Sequence, residues 1–184
     1  MRKTFFLSLL LVVSLICGTL SDEALDLSRE EAKQLHALLL VGELQDFGER
    51  AGNPSAYLMA AELLLDYPSR EQNRGRVTRL CGHARALGRD DELVQAWADR
   101  LESRVKKSIR GPRSNFLEVI GTLEGSQVLE LPGSYRGVWL HGDGLQLEML
   151  DHQGKTVKDA SHATVLRLVN DTEEPSSYQL ILLE

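Results

Sequence analysis

The chain has 184 residues, a formal net charge of −6, 42% hydrophobic residues and only 5% aromatics. That length holds one ordinary domain or two small ones, and the apolar fraction is too high for a disordered chain. The acidic balance argues against nonspecific nucleic-acid binding, and the few aromatics leave a core of Leu, Val and Ala.

The first residues read as a targeting segment. Arg2 and Lys3 give a basic start, Phe5 to Ile16 an apolar run broken only by Ser8 and Ser14, and Cys17, Gly18, Thr19 and Ser21 small residues beyond it. This is the layout of a secretory signal peptide over 1–21, with a run too short for a comfortable membrane span. Cleavage near Thr19 to Ser21 removes Arg2 and Lys3 and takes the net charge to about −8. The competing reading is a lipid anchor on Cys17, although Ile16 stands where such signals carry Gly or Ala. Either way Cys81 is left alone, so no intramolecular disulfide forms and stability rests on packing. Cys81 falls on an apolar helix face and reads as a small buried hydrophobe rather than a nucleophile.

A helical region is expected over 28–110. Ser28 and Glu31 have capping-box spacing, followed by an apolar stripe of Leu35, Leu38, Leu39 and Phe47, with an end near Arg50 and Gly52 as terminator. Asn53-Pro54 restarts the chain as cap and first helical residue, with Tyr57, Leu58, Ala61, Leu64 and Leu65 inward and Pro68 as the stop. After a polar stretch from Ser69 to Gly75, a third helix is predicted from about Arg76 to Leu87, carrying Val77, Leu80, Cys81, Ala84 and Leu87 on one face. Gly88 ends it. Asp90 or Asp91 caps a fourth, with a stripe of Leu93, Val94, Trp97, Leu101, Val105 and Ile109. Residues from Asn53 echo those from Asp90: Ala61 matches Ala98, Glu62 matches Asp99 and Leu64 matches Leu101, an offset near the period of two-helix repeats. Such arrays need about three repeats, so a small antiparallel bundle of four helices is the reading favoured here. Arg104, Lys106, Lys107, Arg110 and Arg113 surround Gly111-Pro112. They read as cations at a helix C-terminus plus a solvated linker, 111–114, with a basic patch for an anionic surface as the alternative.

From 115 to 184 the period becomes alternating. Strands are expected at Val119-Ile120, Val128 to Leu131, Tyr135 to Leu140, 145 to 150, Thr156 to Lys158, Ala163 to Val169 and Tyr178 to Leu182. In the fourth, Leu145, Leu147 and Met149 alternate with Gln146 and Glu148, and Asp151-His152-Gln153-Gly154 forms a tight turn after it. About seven short strands with regular turns suggest an antiparallel β-sandwich, making the whole chain α+β.

The run Gly142-Asp143-Gly144, then Leu145, Leu147, Met149 and Leu150, then Asp151, Gly154 and Lys155, resembles bacterial pre-peptidase C-terminal domains. Tyr178-Gln179-Leu180-Ile181-Leu182 is similar to that family's last strand, and the likeness covers about 127–184. The Ala- and Leu-rich helices before it look like those accompanying such domains in some exported bacterial proteins of unknown role. The resemblance implies a jelly-roll-like sandwich that is accessory rather than catalytic. Where family members often place further aspartates, this chain has Leu145, Gln146 and Leu147. Asp143 and Asp151 alone are too few oxygens for calcium, so no calcium site is carried over.

Signatures of metalloproteases, serine hydrolases, phosphate-binding loops and dinucleotide folds are missing from the sequence, as are zinc-type cysteine pairs. His141, Asp143, His152 and His162 lie in or near turns and have ligand chemistry for a transition metal, but exposed turn residues explain them equally well. Glu148 and Asp151 are three apart on a strand and should face opposite sides, which disfavours joint acid–base work. Asn170-Asp171-Thr172 fits a glycosylation acceptor. The expectation is an exported, periplasmic or secreted, non-catalytic binding or scaffold protein of the bacterial envelope. It has a protein partner, no cofactor and no nucleic acid, and contacts membrane only if Cys17 is lipidated. The alternative is a metal-dependent hydrolase or metal-binding protein using the turn histidines. Mass spectrometry of the mature N-terminus checks the export reading: a free residue near Asp22 is expected, whereas an acyl mass on Cys17 establishes the anchor.

Overall fold

The computed structural model describes residues 27–67, 72–107 and 114–184. Among the described residues four helices come first: α1 (Arg29–Ala51), α2 (Pro54–Asp66), α3 (Gln72–Leu87) and α4 (Glu92–Lys107). Six strands follow among the described residues: β1 (Phe116–Leu123), β2 (Val128–Pro132), β3 (Gly137–His141), β4 (Leu145–Leu150), β5 (Val165–Asn170) and β6 (Ser176–Leu183). A 3-10 turn, Ala160–His162, precedes β5. The chain is α+β, with its helices N-terminal and a sandwich-like pair of antiparallel sheets C-terminal.

Local chemistry sets the helix ends. The Ser28 hydroxyl accepts from the Glu31 amide at 3.2 Å, and Glu31 Oε2 accepts from the Ser28 amide at 2.9 Å, completing the capping box. Gly52 closes α1 at φ 59°, a left-handed angle that costs glycine nothing. Asn53 caps α2, with Pro54 at its first position. Asp91, rather than Asp90, caps α4 through the amides of Leu93 and Val94, at 2.9 and 3.3 Å.

Some expectations need correction. α3 starts at Gln72, within the stretch read as polar loop, because Gln and Arg are good helix formers and packing of the later turns overrides the weaker propensity of Asn73 and Gly75. Phe47 is 50% exposed, since nine residues beyond Leu38 is about half a turn away from the buried face. Leu93 is 81% exposed and Leu87 49%, so both lie off the inward stripe. Thr156 to Lys158 is not a strand but one bridge, Thr156 to Leu150. Pro68 and Ile109 lie outside the described residues, as do Arg110, Gly111, Pro112 and Arg113.

The strands form two sheets. Sheet A has the order β1-β6-β3 and sheet B the order β2-β5-β4, all pairs antiparallel. β6 is the central strand of sheet A, and both its faces are covered. Tyr178, Leu180 and Leu182 belong to the core between the sheets, with Leu166 and Leu168 of β5. Ile181 and Leu183 belong to the core beneath the helices, with Phe116, Leu38, Leu58, Leu80 and Leu101. The molecule therefore has three layers: helices, sheet A, sheet B. Each fully buried Leu or Ile of β6 contributes about 2 kcal/mol of transfer free energy. In sheet B the expected alternation holds, with Leu145, Leu147 and Met149 packed inward. On the opposite face Arg167 of β5 lies between its register partners Glu130 and Glu148, at 2.9 and 3.4 Å.

α1 runs along β6, and Gly42 permits the close approach. A Cβ at Gly42 would overlap Gln179 Oε1 and lie 3.0 Å from the ring of His141. Gly42→Ala therefore pushes α1 away from β6 or breaks the Gln179 contacts. It is expected to destabilise the protein by about 1–3 kcal/mol, read as a lower urea midpoint with an unchanged slope.

Candidate functional site

The four turn residues with ligand chemistry do not gather. His141, the last residue of β3, places Nε2 2.8 Å from Oδ2 of Asp46 on α1, so it ties sheet A to the helices. Asp143 lies in the exposed turn between β3 and β4, and His152 in the exposed turn after β4. His162 is in the 3-10 turn, 3.8 Å from Asp159. Among the described residues no three His, Cys, Asp or Glu side chains form a group able to hold a metal ion.

Other candidate groups are engaged structurally. Asp151 Oδ1 accepts from the amides of Gln153 and Lys155 at 2.8 and 2.9 Å. Those two amides, the Lys155 one first, hold its carboxyl below the usual range, and Gly154 completes the turn at φ 75°. Asp159 caps the 3-10 turn by accepting from both the amide and the hydroxyl of Ser161, so that hydroxyl is engaged as a donor to the cap. Asn170 is fully buried, and its Nδ2 donates to the carbonyls of Leu123, Glu124 and Glu174. The folded chain thus withholds the one nitrogen a glycosylating enzyme needs. Burial pushes the Cys81 thiol up to about 11, keeping it protonated and unreactive.

Glu31 does more than cap α1. Its Oε1 also accepts from Asn115 and Arg136, each at 3.3 Å, linking the first turn of α1 to the starts of β1 and β3. The Ser28 amide, first among several donors, holds this carboxyl down to about 2. Of the basic residues at the end of α4, Arg104 pairs with Glu62 and Asp66 of α2, at 3.4 and 2.6 Å.

A buried polar cluster joins the helices to sheet A. Arg76 of α3 donates to Glu118 of β1 and, through its other terminal nitrogen, to Gln45 of α1. Gln179 of β6 donates to Glu118 and, at 3.0 Å, to the Leu38 carbonyl. Arg76, Glu118 and Gln179 are 4, 8 and 4% exposed. The Arg76 Nε and Gln179 Oε1 have no partner among the described residues. On its outer side the cluster meets a cleft of about 330 Å³, lined by Arg76, Arg79, Glu118, Val119 and Ile120. Arg79 is exposed there, and Ile120 is 46% exposed. A second, shallower hollow lies on the outer face of α4 over Leu93, Ala96, Trp97 and Arg100.

Periodicity alone did not point to Arg76, Arg79, Glu118 or Gln179. One signal was present: Glu118 sits between Phe116 and Ile120 on a single strand face, and a carboxylate on an apolar face asks for a buried cation. Which cation answers depends on how α3 crosses the sheet. No protein-family model, curated protein or solved structure matches this chain.

Arg76→Ala is expected to cost about 3–5 kcal/mol by leaving Glu118 buried and unpaired. The double variant Arg76→Met with Glu118→Leu should recover most of that loss. Equal urea midpoints for the single and double variants would instead mean that Glu118 tolerates burial alone.

Proposed function

We propose that this is an exported, non-catalytic binding or scaffold protein of the bacterial envelope. The observation that carries the reading is the division of labour among its polar groups. The side chains with chemical potential (His141, Asp151, Asp159, Asn170 and Glu31) are engaged in caps, turns and ties between layers. What is left uncovered is surface suited to recognition: the cleft beside Arg79 and Ile120, and the apolar hollow on α4. The basic-apolar-small layout of residues 1–21 supports export. The likeness of the β-half to pre-peptidase C-terminal domains supports an accessory role.

Photo-crosslinking the mature chain in native envelopes tests the proposal. One discrete adduct, competed away by excess unlabelled protein, is expected. Turnover of a peptide, ester or glycoside by the pure protein, lost on replacing His141 and His152, would overturn it in favour of the metal-dependent hydrolase.

A further inference from the structure

The register of sheet A decides which backbone groups of β1 are in use. The Glu184 amide donates to the Asn115 carbonyl, directly opposite it in the β1–β6 ladder. Antiparallel pairs alternate between bonded and non-bonded residues, so Leu117, Val119 and Gly121 bond to β6. Glu118, Ile120 and Thr122 turn their N–H and C=O groups to the other side, where β1 has no neighbouring strand among the described residues.

The four sheet edges differ in their protection. β2 carries Pro132 and the charged Glu130. β3 is short, and Asp46 holds its last residue. β4 carries Glu148 and is bridged at its end by Thr156. β1 is longer than these three and has no Lys, Arg or Pro. Its one charge, Glu118, points under the helices and is already neutralised by Arg76. Such an edge lacks the usual devices against strand addition.

The cleft along this edge is basic. α3 carries Arg74, Arg76, Arg79 and Arg85 and no acidic residue, in a protein that is acidic overall. Arg76 is spent on Glu118 and Gln45, and Arg85 on Asp99 and Glu102. Arg79 stands exposed on the cleft wall and pairs with no described residue. Beside it, Ile120 offers apolar surface on the same face of the strand.

We propose that β1 accepts an extended acidic peptide as a fourth strand of sheet A, with backbone bonds to Glu118, Ile120 and Thr122 and a peptide carboxylate on Arg79. This is strand addition, in which main-chain bonds supply affinity and alternate side chains supply specificity. A second copy of the chain fits less well, because pairing β1 with itself about a two-fold axis brings Arg79 of both copies to one side of the joined sheet. The inference rests on the binding reading above and adds the ligand class and the place.

The test uses the full mature chain and a blocked peptide of alternating Glu and Val, with a Lys-Val peptide as its control. Binding is read by fluorescence polarisation and by amide hydrogen exchange in NMR spectra. The Glu-Val peptide is expected to bind and to slow exchange at Glu118, Ile120 and Thr122. The Lys-Val peptide should bind roughly fivefold or more weaker, the scale of one exposed ion pair. Ile120→Pro removes an outward donor and should abolish binding. Arg79→Glu, at an exposed position that leaves the fold intact, should reverse the preference between the peptides. Absence of binding, protection elsewhere than β1, or indifference to Arg79→Glu overturns the proposal. So does a peptide-free dimer that Ile120→Pro dissociates, which makes a second copy the occupant. If envelope crosslinking still captures one partner with both variants, the binding function stands and this site alone is wrong.

Discussion

The architecture depends on one buried ion pair and its companions. Arg76 and Glu118 are forty-two residues apart in sequence, and both are almost wholly withdrawn from water. Burying either charge alone costs several kcal/mol, and their mutual attraction offsets that only if the remaining donors and acceptors are also met. Gln45 and Gln179 meet most of them, and they bring α1 and β6 into the same cluster. The net gain in stability from such a cluster is small. Its consequence is for geometry: apolar residues would let the helical layer slide over sheet A, whereas the cluster admits one position. Gly42 belongs to the same constraint, because α1 reaches Gln179 only where there is no side chain in the way.

β6 is the covalent expression of that constraint. It is the centre of sheet A, and it faces sheet B on one side and the helices on the other. The helical layer and the sandwich therefore share a core through Ile181, Leu183 and Phe116. The capping box at the start of α1 repeats the device at the opposite end of the helix, where Glu31 reaches Asn115 and Arg136. A local helix cap that also accepts from the sheet couples secondary structure to tertiary structure through a single carboxylate.

How much of this is legible in the sequence follows from the range of each interaction. Helix ends are legible because caps are formed by neighbours: Ser28 with Glu31, Asn53 with Pro54, Gly52 at the close. Strand alternation at Leu145 to Met149 is legible for the same reason. Phe47 and Leu93 fit the apolar stripes in sequence yet stand exposed, because an apolar residue near a stripe looks the same whether or not a neighbour covers it. In β6 the alternation of Tyr178, Leu180 and Leu182 is visible, but Ile181 and Leu183 are apolar too, and a near-continuous apolar run marks a strand buried on both faces. The turn histidines illustrate the limit. Spacing gives their chemistry but not their convergence, and His141 is committed to Asp46, ninety-five residues away.

The same distinction bears on recognition. A residue that stabilises the fold is satisfied by partners inside the molecule, so its chemistry is hidden from anything outside. Arg76 and Arg79 are three residues apart on one helix and show the two cases side by side. Arg76 turns inward onto sheet A and is consumed by Glu118. Arg79 remains on the cleft wall, next to a strand whose outward backbone groups have no partner strand among the described residues. A guanidinium in water gains little from a lone carboxylate, because solvent screens the pair. Beside an open strand edge the balance changes: backbone bonds order the incoming chain first, and the ion pair then selects among chains already aligned. Sequence-independent affinity and charge-dependent choice would thus come from adjacent parts of one surface, which the internal pairing of Glu118 leaves free of competing negative charge.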